Sequence, residues 1–188
     1  MKILGISGSL RSDSYNTKLL LAAAELLPRE ADFEEWQGLK AVPPYDEDDD
    51  AHPAPPAVAT LREAIDGADA VLFATPEYNA SVPGVLKNAL DWTSRPLRTN
   101  PLRSKPVAVV GASTGAFGAV WSQAELRKVL AAIGARVLEG GVAVGHAPTR
   151  FDERGRLLDD ELREQLTLVV EALVDELAPT PALLSETA

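Results

Sequence analysis

Three short apolar runs, each followed by a small polar loop and then a helical pattern, constrain this chain more than any other feature. They are Lys2-Ile-Leu-Gly-Ile6, Asp69-Ala-Val-Leu-Phe-Ala-Thr75 and Pro106-Val-Ala-Val-Val-Gly111. Strands that are apolar at consecutive positions are buried on both faces, the condition of a parallel sheet covered by helices. A weaker extended segment spans Asp32–Trp36, and a fifth spans Arg136–Val144. The spacing predicts five helices between and after them. Leu19, Leu20, Ala23, Leu26 and Leu27 share one face before Pro28, and Val58, Leu61 and Ile65 share a second. Val85, Leu86, Ala89 and Leu90 form a third, opened by Ser81 and Pro83. Val120, Trp121, Ala124, Val129, Leu130 and Ile133 form a fourth, stopped by Gly134. Leu162, Leu166, Val169, Val170, Leu173 and Leu177 make the fifth. Such alternation predicts a doubly wound α/β fold with a five-stranded parallel sheet in a three-layer α/β/α sandwich. At 188 residues it reads as one domain over residues 1–178, with a flexible tail over 179–188.

In folds of this kind ligands bind beyond the carboxyl ends of the strands, so the loops carry the functional argument. The first, Gly5-Ile-Ser-Gly-Ser-Leu-Arg-Ser-Asp-Ser-Tyr-Asn16, runs from strand to helix. Its helix start offers unpaired N–H groups and the positive end of the macrodipole. Ser7, Ser9, Ser12, Ser14 and Thr17 add hydroxyls, Arg11 adds a forked cation, and Gly5 and Gly8 permit close backbone approach. The stretch is neither G-x-x-x-x-G-K-[ST] nor G-x-G-x-x-G, which argues against a triphosphatase or a dinucleotide fingerprint. It reads as a seat for a phosphate monoester, or as an ordinary polar turn with an N-cap. The second loop, Glu77-Tyr-Asn79, offers an aromatic face and an amide to a planar heterocycle. The third, Ala112-Ser-Thr-Gly-Ala-Phe-Gly118, again mixes hydroxyls with glycines.

Other features exclude alternatives. A formal net charge of −10 argues against nucleic-acid or anionic-membrane partners, and makes Arg11 the more noticeable. There is no Cys, so thiolate metal sites and thiol nucleophiles are out. His52 and His146 lack metal-ligand spacing and read as loop residues. The contiguous acids Asp46–Asp50, bracketed by prolines, read as a solvated loop rather than a cation site. Arg95, Arg98, Arg103 and Lys105 either solubilise their connection or bind a second phosphate-bearing ligand. No signal segment or membrane-length apolar run is apparent, which points to a cytoplasmic protein.

Gly8-Ser-Leu-Arg-Ser-Asp-Ser-Tyr-Asn16, Pro76-Glu-Tyr-Asn79 and Ser81-Val-Pro-Gly-Val-Leu-Lys-Asn-Ala-Leu-Asp-Trp92, in this order, resemble the NADPH-dependent FMN reductase family. The resemblance covers Met1 to about Leu177 and implies a flavodoxin-like fold. That family includes quinone, azo-dye and chromate reductases. The resemblance implies that Ser9, Arg11, Ser14, Tyr15, Asn16 and Thr17 surround an FMN phosphate. Pro76, Glu77, Tyr78 and Asn79 would frame the isoalloxazine, and Ser113, Thr114 and Gly115 would close the third side. Hydride would pass from NADPH or NADH to FMN and on to a small-molecule acceptor: a quinone, azo dye, free flavin or metal oxyanion. The chemistry is then the cofactor's, so no catalytic side chain and no metal is expected. Glu77 belongs to the loop motif and Asp91 to a helix end, and neither is assigned proton transfer. Arg95 is expected to steer the NADPH phosphate. The second reading is an FMN-binding electron carrier or regulatory module without nicotinamide turnover. Family members are usually homodimers or homotetramers. The chain departs from the pattern at Gly118-Ala119, where relatives often have paired glycines, and at Trp121, where a smaller or polar residue is usual.

Overall fold

The computed structural model describes residues 1–50 and 53–178; His52 and the tail at 179–188 lie outside the described residues. One sheet contains β1 (Lys2–Ser7), β2 (Asp32–Trp36), β3 (Ala70–Thr75), β4 (Pro106–Ala112), β5 (Arg136–Val137) and β6 (Ala143–Val144). All pairings are parallel, in the order β2-β1-β3-β4-β5, with β6 pairing farther along β4. The helices are α1 (Tyr15–Ala24), α2 (Pro56–Asp66), α3 (Gly84–Thr93), α4 (Val120–Ile133) and α5 (Asp160–Asp175). Successive strand residues point to opposite faces. Ile3, Leu72 and Val110 therefore join the core under α1 and α5, while Leu4, Phe73 and Val109 join the core under α2, α3 and α4. The result is the expected α/β/α sandwich, in the flavodoxin-like strand order 2-1-3-4-5.

Gly5 lies inside β1 rather than in the turn. A Cβ there would meet the Phe33 ring at 2.4 Å, so glycine lets β2's aromatic side chain lie on β1. The helix predicted through Leu27 ends at Ala24; Leu26 and Leu27 still pack partly buried against the α1–α5 core. Ser81 does not cap α3, whose N-cap is Pro83, because Ser81 is held in an antiparallel bridge with Tyr78. The acidic run is the solvated loop expected, with residues 46–49 exposed around one 3-10 turn, Glu47–Asp49, and Asp50 half-buried. Asp46 caps that turn, and Asp50 pairs with Arg62 at 2.9 Å. The preceding prolines are pinned to α3, since Asn88 Nδ2 and the buried Trp92 Nε1 each donate to the Pro43 carbonyl at 2.8 Å.

The predicted fifth strand is split. Only its two ends pair with β4, at Pro106–Val107 and at Gly111–Ala112. Between them Gly140 adopts a φ of +85°, and Arg127 reaches in from α4 to donate to the carbonyls of Val109 (2.8 Å) and Gly140 (2.6 Å). A guanidinium thus satisfies carbonyls that a continuous strand would have paired. Gly141 makes room for it: a Cβ there would stand 2.2 Å from Arg127 and 2.9 Å from the Val109 carbonyl oxygen. We predict that Gly141→Ala lowers unfolding free energy by about 1–3 kcal/mol through overpacking. Urea unfolding checks this, and a variant as stable as the parent contradicts it.

Candidate functional site

The ends of β1, β3 and β4 lie side by side, and α1 and α3 leave them toward opposite faces of the sheet. The gap is the topological switch point, where an open α/β sheet binds its ligand. A cleft of about 120 Å³ occupies it. Its walls are Ser9, Arg11, Ser14, Tyr15 and Asn16 from the first loop, Pro76, Glu77 and Tyr78 from the second, and Ala112, Ser113 and Thr114 from the third. Ten of the thirteen residues expected around a cofactor are therefore brought together. Thr17 lines grooves on the other sides of α1 instead, while Asn79 and Gly115 are exposed residues of the second and third loops.

The first loop is an anion seat with its own scaffold. Ser14 is buried, and its Oγ accepts the amides of Asn16 (3.2 Å) and Thr17 (3.4 Å), so it caps α1. The amide hydrogens of Ser12, Asp13, Ser14 and Tyr15 have no acceptor among the described residues. Arg11 is exposed and forms no ion pair among them. Four free amides, a free guanidinium and the Ser9 hydroxyl suit a phosphate.

Two side chains tie the loops to one another. Asn16 is buried and gives its whole amide to Ala112: Nδ2 donates to the carbonyl (3.0 Å), and Oδ1 accepts the amide N–H (2.9 Å). The resemblance placed Asn16 at a phosphate, but the structure uses its side chain as a clasp from the first loop to the end of β4. Glu77 is the second tie. Its Oε2 accepts the amides of Trp121 (3.1 Å) and Ser122 (3.2 Å). The N-cap of α4 is Ala119, in the left-handed region at φ +63° and with no side chain to cap. A carboxylate from the second loop thus caps the helix that follows the third, with the favourable sign for its dipole.

The first turn of α4 is rotated from the expected face. Val120, Trp121 and Ala124 are exposed, whereas Ser122 and Gln123 are buried. Thr75 Oγ1 donates to the Pro76 carbonyl (2.8 Å) and accepts from Ser122 Oγ (2.8 Å). Gln123 Nε2 donates to the carbonyls of Gly118 (3.0 Å) and Val142 (3.1 Å). These polar partners outweigh the apolar periodicity, because a buried donor without an acceptor costs more than an exposed Trp. No spacing in the sequence announces them. In the second loop Asn79 (φ +53°) and Ala80 (φ +60°) form a tight turn closed by mutual hydrogen bonds of Tyr78 and Ser81. The third loop rests on the following chain, as Ala147 and His146 donate their amides to Ser113 and Gly115.

Arg95 stands apart. It is exposed at the carboxyl end of α3, whose ten residues lead roughly 15 Å away from the cleft. Its guanidinium donates to Ser94 Oγ at 3.4 Å. A larger groove of about 630 Å³ lies on the outer side of α1, near the Lys18–Asp13 ion pair and Gly155. It takes no residue from the second or third loop, so its size does not make it the site. Among the described residues no cluster of His, Asp or Glu could hold a metal ion, and no helix is long and apolar enough to cross a membrane.

The site thus belongs to a flavodoxin-like α/β oxidoreductase. The model of the NADPH-dependent FMN reductase family matches residues 1–149, and the chain belongs to that family. It is 47% identical to an NAD(P)H-dependent FMN reductase of Pseudomonas aeruginosa, over 92% of this chain and 93% of the relative. It is 37% identical to a 2-hydroxy-1,4-benzoquinone reductase of a Burkholderia species, over 88% and 90%. Among solved structures, the flavoenzyme NAD(P)H:(acceptor) oxidoreductase of Paracoccus denitrificans superposes with a TM-score of 0.83 at 35% identity, covering 93% of this chain and 95% of that one. The protein is an NAD(P)H-dependent flavin oxidoreductase, and the carrier reading is not favoured.

Two predictions follow from the ties. Asn16→Ala leaves both polar groups of Ala112 unpaired and is expected to cost about 2–4 kcal/mol in urea unfolding. Asn16→Asp should recover little, since it sets a carboxylate against the Ala112 carbonyl. Glu77→Ala should cost about 1 kcal/mol and Glu77→Gln less, because glutamine keeps the acceptor and loses only the charge. Equal losses in the two Glu77 variants would show that the helix cap is not what Glu77 supplies.

Proposed function

We propose that the three-loop cleft holds FMN and that the protein passes electrons from NADPH or NADH to a quinone-class small molecule. The observation that carries this reading is the convergence of three strand-end loops, one of them with four free amides and a free Arg in a chain of net charge −10. The donor set fits the cofactor. Arg11, Ser9 and the amides at the start of α1 would hold its phosphate, with the capping residue Ser14 and the neighbouring Tyr15 and Asn16 shaping that end. Pro76, Glu77, Tyr78 and Asn79 would frame the ring system with main-chain groups and the Asn79 amide, and Ser113, Thr114 and Gly115 would close the third side. Bound there, FMN supplies the acceptance and delivery of hydride.

What the protein adds is position and electrostatics. Arg11 and the helix terminus balance phosphate charge that the acidic chain would otherwise repel. Tyr15 is braced by Phe151, with ring centroids 5.8 Å apart, so that wall is fixed before a ligand arrives. Glu77 caps α4, and Asp91 pairs with Lys87 at 2.7 Å, so neither is assigned proton transfer. The quinone class is taken from the reductases to which the chain is similar. A homodimer or homotetramer working in the cytoplasm, without nucleic-acid or membrane partners, completes the proposal. Arg95, exposed about one helix length from the cleft, would meet the phosphate end of NADPH rather than its ring.

Adding NADPH without air to protein that carries FMN should bleach the flavin to its two-electron reduced form, and a quinone should restore the colour. A flavin that stays oxidised with both nicotinamides contradicts the reading. Arg11→Ala should raise the FMN dissociation constant at least about tenfold, as befits loss of a hydrogen bond to a charged group. Equal constants in variant and parent would remove Arg11 from the phosphate site.

A further inference from the structure

Trp121 and Phe117 are 49% and 63% exposed, although helical spacing predicts that Trp121 faces the core. The cause is local, since Ser122 and Gln123 occupy the inner face of the first turn of α4. Trp121 is nevertheless anchored. Its amide N–H donates to Glu77 Oε2, and Glu77 also lines the three-loop cleft. The Phe117 and Trp121 rings meet edge to face, with centroids 5.0 Å apart and planes at 68°. Tyr78, next to Glu77, is a further half-exposed ring.

We infer that Phe117 and Trp121 form the acceptor rim of the site and favour planar, apolar ring acceptors over compact charged ones. The inference rests on the functional reading above. Two rings at a steep angle make a corner in which a flat molecule stacks on one face and meets the other ring along its edge. A hydrated metal oxyanion gains little from such a wall, because neither ring carries a cation and the Trp121 indole N–H is the one donor the two rings can exchange for its water. NAD(P)H is held differently, since its phosphates and ribose offer polar contacts remote from its ring. A quinone has little besides its ring, so its affinity depends on the corner. The rim is also small. Two partly exposed aromatic side chains present on the order of 300 Å², against about 800 Å² per partner in a stable protein interface.

The test uses the oxidised holoenzyme and a naphthoquinone titrated without a donor, with binding read from the perturbed flavin spectrum. Trp121→Ala should raise the quinone dissociation constant about tenfold, and Trp121→Phe should return it to within about threefold of the parent. The ratio of kcat/KM for the naphthoquinone to that for ferricyanide should fall in step. An unchanged dissociation constant or an unchanged ratio overturns the inference. So does a change of molecular mass in sedimentation equilibrium for Trp121→Ala, which would assign the surface to a contact between copies of the chain. A parent protein without flavin, or one that NADPH does not bleach, overturns the functional reading itself and is seen before any quinone is added.

Discussion

Asn16 gives both ends of its side-chain amide to a single residue, Ala112, ninety-six positions further along the chain. The bond pair joins the turn after β1 to the last residue of β4, across the end of β3 that lies between them. That clasp sets the first and third walls of the cleft against each other. It sets where α1 begins, and hence where the free amides of residues 12–15 point. It also fixes the end of β4, from which Ser113 and Thr114 project into the same cleft. The Glu77 carboxylate does the corresponding work between the second and third loops. A site assembled from three loops is ordinarily at risk of loose positioning. Here two buried or half-buried side chains hold the loops to one another rather than to the sheet alone.

The electrostatics of the chain make the local arrangement matter. With 28 acidic and 18 basic residues, the protein as a whole repels an anionic cofactor and an anionic donor. Many of its cations are committed elsewhere: Arg62, Lys87, Arg136, Arg150 and Arg156 face carboxylates, and Arg127 faces carbonyls. Arg11 is exposed beside free amides and hydroxyls at the switch point, where helix dipole and guanidinium act in the same direction. Anion binding is thus favoured at the switch point.

How much of this was legible in the sequence follows from which interactions announce themselves. Continuous apolar strands and helical stripes gave the α/β sandwich, because burial acts on residue type at fixed spacing. The loops drew attention through their Gly and hydroxyl content, and ten of the residues named in them do line one cleft. Their division of labour was not legible. Asn16 and Ser14 carry the chemistry of phosphate ligands, yet one side chain clasps a distant strand and the other caps its own helix. Glu77 shows no sign in sequence of capping a helix forty-four residues away. The apolar spacing puts the first turn of α4 on the wrong face, because Ser122 and Gln123 are drawn inward by partners on β3 and near β6 that only the folded chain supplies. The spacing likewise predicts a continuous fifth strand, whereas its middle is satisfied by Arg127.

The central claim is that three loops, held together by Asn16 and Glu77, form one FMN site. Amide hydrogen exchange followed by mass spectrometry, with and without saturating FMN, tests it most directly. The account predicts that FMN slows exchange in residues 9–17, 76–79 and 113–115 together and leaves the outer groove at residues 153–155 unchanged. Protection confined to one of the three loops, or centred on the outer groove, would contradict it.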